Sequence, residues 1–242
     1  MSKTIEQWLK EDVNPLKDAD PDTMYSVLFF RDPNRPIFCD VDFAFSQADG
    51  IIIDQKVVKP DEKIAEVKGV QYTPQKLLDD DSFDKEALVI SIFMSQWDVH
   101  VNRLPTNGVL YYKKVDPLQT LNIPMLFEER DIMKGRINYA HMGYPTKNGR
   151  MVNTIINGSY TYYLVQIADS DVNVICPFDT DQGNHYFQNE RFSVVRYGSQ
   201  VSLILPLADC FDFEPLEKVS RHVEAGLDKL VHIKSKPGYS IK

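Results

Sequence analysis

Positive charge is in short supply in this sequence. Lys and Arg number 27 against 35 Asp and Glu, a formal net charge of −8. That balance argues against broad nucleic-acid binding, which needs a basic face to neutralise phosphates. It speaks equally against simple electrostatic docking on an anionic bilayer, a local basic patch aside. Cysteine is scarce: Cys39, Cys176 and Cys210 are scattered, odd in number and never in a C-x-x-C pair. They read as free thiols in a reducing compartment, not as a disulfide framework. No apolar run approaches the roughly 20 residues of a membrane-spanning helix; the most apolar stretch, Ala87 to Met94, is interrupted by Ser91. The opening MSKTIEQWLKED has neither an apolar core nor a small-residue cleavage site, so the chain is expected to be cytoplasmic and soluble. Phosphate-loop and dinucleotide glycine patterns are missing, and His141, His185, His222 and His232 show no metal-ligand spacing. No nucleotide, nicotinamide or metal is expected.

What the sequence does contain is a globular composition, 43% hydrophobic and 26% charged, on a chain long enough to bury its own core. Ile5, Trp8, Leu9 and Val13 share one helical face, predicting a helix within the first 20 residues. After Pro21 the pattern turns to short aromatic and β-branched runs: Tyr25–Phe30, Phe38–Phe45, Ile51–Val58, Ala87–Met94, Val109–Val115, Thr161–Ala168, Val172–Pro177, Phe192–Val195 and Val201–Leu207. Asp49-Gly50, Asn107-Gly108 and Asn157-Gly158 punctuate them. A second helix is expected over Glu214–Val231, from the spacing of Leu216, Val219, Val223, Leu227 and Leu230. The expected fold is mainly β (α+β), a sandwich- or barrel-like β core with peripheral N- and C-terminal helices. Residues 1–24 form the helical extension and 25–242 the main domain.

Three segments carry chemistry-bearing residues: QADGIII (Gln47–Ile53), MSQWDVHVNRLPTNG (Met94–Gly108) and NERFSVVRYGSQVSLILP (Asn189–Pro206). Singly, each has an ordinary reading as a turn, a satisfied histidine or a bulge. In this order they resemble the phosphatidylserine decarboxylase family of pyruvoyl enzymes, with its early ADG, its central DVHVNR-x-P and its late GS pair inside an FGS-x-V-type strand. FFRDPNRPI (Phe29–Ile37), VKGVQYTPQKLL (Val67–Leu78) and LVQIA (Leu164–Ala168) extend the resemblance from about Phe29 to Pro206.

The resemblance implies a self-processing decarboxylase. The Ser199 hydroxyl attacks the Gly198 carbonyl once a base removes its proton. The resulting ester eliminates, and loss of ammonia leaves a covalent pyruvoyl group derived from Ser199. The chain becomes fragments 1–198 and 199–242, which stay packed together. The pyruvoyl ketone then forms a Schiff base with a substrate amine and drains the electrons left by carbon dioxide. By the same resemblance His100 is the proton-handling base and Asp49 orients it.

Two departures bear on the site. Long members carry a second His where this chain has Arg103, while short members also read HVNR; whether His100 serves cleavage as well as decarboxylation stays open. Arg103 cannot act as a base and is a candidate for the substrate carboxylate or phosphate, beside the plain reading of a structural ion pair. The stretch Ile137–Asn153 is rewritten in this chain, and its His141 and Tyr144 are candidates for the substrate pocket. The implied substrate is phosphatidylserine, with peripheral membrane association, or a small soluble amine-bearing carboxylate. The competing class is a non-catalytic β-scaffold binding module, which has no chemical need to retain Asp49, His100, Gly198 and Ser199 together. Assembly into homo-oligomers stays open.

Overall fold

The computed structural model describes residues 2–37, 39–67, 70–116, 126–137, 148–168, 174–196 and 199–236. Nine strands form one antiparallel sheet. From edge to edge they are Lys3–Thr4, Arg221–Val223, Gly50–Val58, Ala87–Met94, Ser199–Pro206, Thr161–Ala168, Arg150–Ile156, Gly108–Val115 and Asn184–Tyr186. Two three-stranded sheets accompany it: Ile175–Pro177, Arg191–Val195 and Val101–Arg103, then Phe211–Pro215, Lys229–Ser235 and Phe43–Phe45. The large sheet stays open, so the mainly β expectation holds without barrel closure.

Ala87–Met94 explains the layering. All eight of its residues are buried, as a run without polar alternation requires, because successive side chains point to opposite faces and both faces must be covered. Leu88, Ile90, Ile92 and Met94 enter one core with Phe192, Val195, Leu230 and Ile233 of the small sheets. Ala87, Val89 and Phe93 enter a second core with Trp8, Val13, Leu77 and Ile132. Each large apolar side chain buried in this way contributes on the order of 1.5–3 kcal/mol. The one polar residue of the strand, Ser91, meets Ser202 directly across the ladder at 2.8 Å, which satisfies both hydroxyls where water is excluded.

The N-terminal helix is present but short. Thr4 caps Ile5–Trp8 in a reciprocal box with Gln7, and a wider helical turn continues over Leu9–Val13. Its buried residues are Trp8 and Val13. No helix among the described residues is long and apolar enough to cross a membrane.

Two expectations are corrected. Glu214–Val231 is not a helix but parts of three strands: Phe211–Pro215, Arg221–Val223 and Lys229–Ser235. The helical spacing there was coincidental, since Leu216, Val219 and Leu227 are exposed while Val223 and Leu230 are buried. Ser220 and Gly226 break the path with positive φ of 71° and 68°. Tyr25–Phe30 is not a strand; Met24–Leu28 forms a helical turn. The Asp20 carboxylate accepts the Thr23 amide, with Pro21 at the first helical position, and this start signal overrides the aromatic, β-branched composition.

Gly50 is where the sheet tolerates no side chain. Its φ is +148°, and a Cβ there would lie 2.2 Å from the Phe93 carbonyl oxygen. Gly50→Ala is expected to lose at least about 1–3 kcal/mol from backbone strain alone, more if the Phe93 backbone must retreat. Denaturant unfolding of the variant checks this; an unchanged midpoint would contradict the close approach.

Candidate active site

The turn after Ala87–Met94 sets the geometry. Asp98 Oδ2 accepts both the amide and the hydroxyl of Ser95, each at 2.8 Å, and the Asp98 amide returns a bond to the Ser95 carbonyl. This closed turn aims the Asp98 carbonyl at His100 Nδ1, 2.9 Å away. A carbonyl can only accept, so Nδ1 carries the proton and Nε2 keeps its lone pair. His100 is fully buried, and its Nε2 has no hydrogen-bond partner among the described residues. Phe29 stacks on the imidazole with centroids 3.9 Å apart. Burial pushes the His100 pKa down to about 4, against the opposing pull of the Asp98 charge and carbonyl, with the Arg31 charge adding to the depression. The ring is neutral at pH 7 and able to take a proton.

Ser199 opens the strand Ser199–Pro206, paired with Met94 on one side and Ala168 on the other. It is fully buried, and its Oγ also lacks a partner among the described residues. Such an unsatisfied hydroxyl costs about 1–3 kcal/mol. Main-chain bonding ties the two candidates to one end of the sheet. Ser199 lies opposite Met94, from which the chain turns through 95–98 into His100, and the His100 carbonyl accepts from the Val195 amide. Gly198 lies outside the described residues, as do His141 and Tyr144.

Asp49 is buried and engaged elsewhere. Its carboxylate takes both Nη atoms of Arg35, at 2.5 and 2.8 Å, and the Ala225 amide at 2.7 Å. No Asp49–His100 bond is seen among the described residues; the contact that orients His100 comes from the Asp98 main chain. Arg103 donates to the Asn189 and Pro33 carbonyls and to Asp32, which also pairs with Arg191. Burial and the charges of Arg35 and Arg191 lower the Arg103 pKa against Asp32 and Asp49, yet it stays charged at any working pH. Arg35, Arg103, Arg191 and Asp32 line a cavity of about 440 Å³ with Ile37 and Phe178 at its side.

Residues 24–230 match the model of the phosphatidylserine decarboxylase family. The chain belongs to that family. A phosphatidylserine decarboxylase proenzyme from Chlorobium phaeobacteroides is 27% identical over 186 residues, covering 76% of this chain and 70% of that protein. The proenzyme of the same name from Rickettsia akari is 29% identical over 186 residues, covering 76% and 66%. That of Rickettsia prowazekii is 27% identical over 190 residues, again 76% and 66%. The decarboxylase family match begins after the N-terminal helix, so Trp8 lies outside it.

Sequence reasoning missed three groups here. Asp98 was read as part of a motif with no task, although its neighbour by two, His100, depends on it. Phe29 enters the sequence reading only within the run Tyr25–Phe30 and the segment FFRDPNRPI, with no role at the site. His222 was set aside for want of ligand spacing, yet its Nε2 lies 2.7 Å from Asp98 Oδ1 across 124 positions of sequence. Nothing in one sequence signals a pairing at that separation.

The neutral, buried His100 has a consequence for stability. Its folded pKa lies below the unfolded value of 6.5, so the unfolded chain binds more protons between those two values. The His100 contribution is therefore present above about pH 6.5 and lost as pH falls toward 4, by about 3 kcal/mol at most. Denaturation of wild type and His100→Gln at pH 7 and pH 4 should show wild type losing that much more than the variant. An equal loss in both would refute the depressed value.

Proposed function

We propose that this chain is a self-processing, pyruvoyl-dependent decarboxylase, cleaved between Gly198 and Ser199, with phosphatidylserine as its substrate. The observation that carries the reading is that His100 Nε2 and Ser199 Oγ, two of nine buried side-chain atoms without a hydrogen-bond partner among the described residues, both belong to the matched motifs. Folded proteins rarely leave such groups unsatisfied without a use for them. One holds a lone pair and the other a proton, and their residues stand at the histidine and serine of the family's motifs. These groups fit a prosthetic group made from Ser199, because its oxygen has no partner among the described residues and a base sits in the same region.

In this reading His100 Nε2 takes the Ser199 hydroxyl proton. Oγ bonds to the Gly198 carbonyl carbon, the peptide C–N bond breaks, and the proton passes to the Ser199 nitrogen. The ester so formed eliminates after loss of the residue 199 α-proton, returning a carboxylate on Gly198, and water then replaces the nitrogen, which leaves as ammonia. A pyruvoyl group at residue 199 supplies an electron sink for loss of carbon dioxide from an amine-bearing carboxylate. His100, dry and neutral, is then placed to handle the proton that replaces the carboxylate. Asp49 acts through Arg35, holding the segment that lies beside Arg103, and the arginine-lined cavity receives the anionic part of the substrate. Residues 1–24 form an extension to the domain 25–242.

Mass spectrometry under denaturing conditions tests the cleavage. Wild type is expected as fragments 1–198 and 199–242, and Ser199→Ala as one intact, inactive chain. A Ser199→Ala chain that still splits at this bond would overturn the mechanism. His100→Ala is expected to accumulate uncut if His100 serves both steps. If it serves decarboxylation alone, the chain still splits while turnover falls by about 10²–10⁴. Normal processing and turnover in that variant would remove His100 from both.

The substrate is tested separately by carbon dioxide release from phosphatidylserine vesicles against free serine. Equal or greater release from the free amino acid would reject the lipid.

A further inference from the structure

We propose that His222 is a positioning residue for His100, acting through Asp98, with Trp8 as the clamp that holds its ring in place. The inference rests on the reading of His100 as the base and extends it to two residues outside the family's motifs.

The bonds run in one direction. His222 stands on Arg221–Val223, held between Ile51 of Gly50–Val58 and Lys3 of the edge strand. Its Nε2 meets Asp98 Oδ1 at 2.7 Å. A carboxylate can only accept, so Nε2 carries a hydrogen. The other Asp98 oxygen is taken by the Ser95 amide and hydroxyl. Asp98, Ser95, His222 and His100 are all buried, none more than 3% exposed. The Asp98 side chain is thereby fixed at both oxygens, and its main-chain carbonyl is fixed with it against His100 Nδ1. That last contact keeps the His100 hydrogen on Nδ1 and the lone pair on Nε2, the only tautomer that can take a proton from Ser199.

The electrostatics agree. Burial works against the His222 charge, but the Asp98 charge and hydrogen bond, then Asp49 and Glu224, outweigh it and raise its pKa. Asp98 answers in kind: burial raises its pKa, but the His222 charge and the bonds from His222 and Ser95 bring it below the ordinary value. The other charged groups nearby are occupied. Lys3, across the strand pair, binds Asp12 and Glu11, and Arg221 binds Ser2 and Glu217. On its open face His222 meets Trp8, stacked at 4.9 Å and 16°, itself 1% exposed. The indole face suits a charged imidazole. It also covers a ring whose Nδ1 has no partner among the described residues, leaving the Asp98 bond as its one directional tie.

Without the His222 donor, Asp98 keeps a buried charge with no counter-charge bonded to it. The turn relaxes, and His100 is free to adopt the Nε2–H tautomer, which cannot accept. Partners that orient a metal-bound histidine through its second nitrogen contribute about tenfold to a hundredfold, and the same range is taken for His100.

The experiment uses the full chain in wild type, His222→Gln, His222→Leu and Trp8→Phe. The first readout is the ring-nitrogen NMR of His100, which reports the tautomer whether or not the chain is cleaved. The second is the rate at which fragment 199–242 appears as a function of pH. Wild type, His222→Gln (whose amide can still donate to Asp98) and Trp8→Phe should keep His100 as Nδ1–H. His222→Leu should lose that preference and cleave about tenfold to a hundredfold more slowly. Wild-type cleavage should change on the alkaline side as His222 loses its proton, and His222→Gln should be flat there. A folded His222→Leu with the wild-type tautomer and rate overturns the proposal. Should that variant not fold, His222→Gln decides, and a wild-type alkaline limb in it overturns the proposal equally. If the wild-type chain is never cleaved, the functional reading falls, while the tautomer comparison still tests the link from His222 to His100.

Discussion

The ladder between Ala87–Met94 and Ser199–Pro206 is the constraint on which the rest of the molecule depends. It pairs eight residues with eight, from Ala87 against Pro206 to Met94 against Ser199, and every one of the sixteen is buried. Both cores are anchored on it, one on each face. It also fixes Ser199 at the point where the first strand ends and the turn toward His100 begins. Because side chains alternate, a slip of one residue would exchange the two cores and carry Ser199 to the wrong face. The position of the candidate nucleophile is thus guaranteed by the most heavily buried element of the fold, not by a loop.

Among the described residues nine buried side-chain polar atoms lack a hydrogen-bond partner, His100 Nε2, Ser199 Oγ and His222 Nδ1 among them. Other polar groups of the same core are paired. Ser91 and Ser202 satisfy each other, and Asn153, Gln166, Asn102 and Ser193 form a continuous buried set. Each open valence lowers the stability of the folded state.

How far the sequence spoke varied with the kind of interaction. The central strands were legible because burial on both faces leaves mostly apolar residues, and Thr161–Ala168 and Ala87–Met94 fall where the composition put them. Motif order singles out His100, Ser199 and Asp49 as candidates, but not the bonds around Asp49: its partner Arg35 lies in a segment that only supports the resemblance. The C-terminal stretch misled because five apolar residues at helical spacing say nothing about which of them will be covered. Tyr25–Phe30 misled because composition was weighed above Asp20-Pro21, a helix start that was there to be read. The His222–Asp98 pair could not be read at all, since topology alone brings those two positions together.

Ser199–Pro206 is an interior strand, flanked on both sides, and the residues after it supply parts of two further strand pairings with Phe43–Phe45 and Gly50–Val58. A chain severed just ahead of Ser199 would surrender the middle of its sheet to a separate short peptide. Within one chain, placing that strand is loop closure; between two, it is an encounter whose success depends on concentration. The uncut chain would then be the scaffold on which the two-chain form is assembled, and the finished protein would keep an architecture that its separated pieces have lost the connection needed to rebuild.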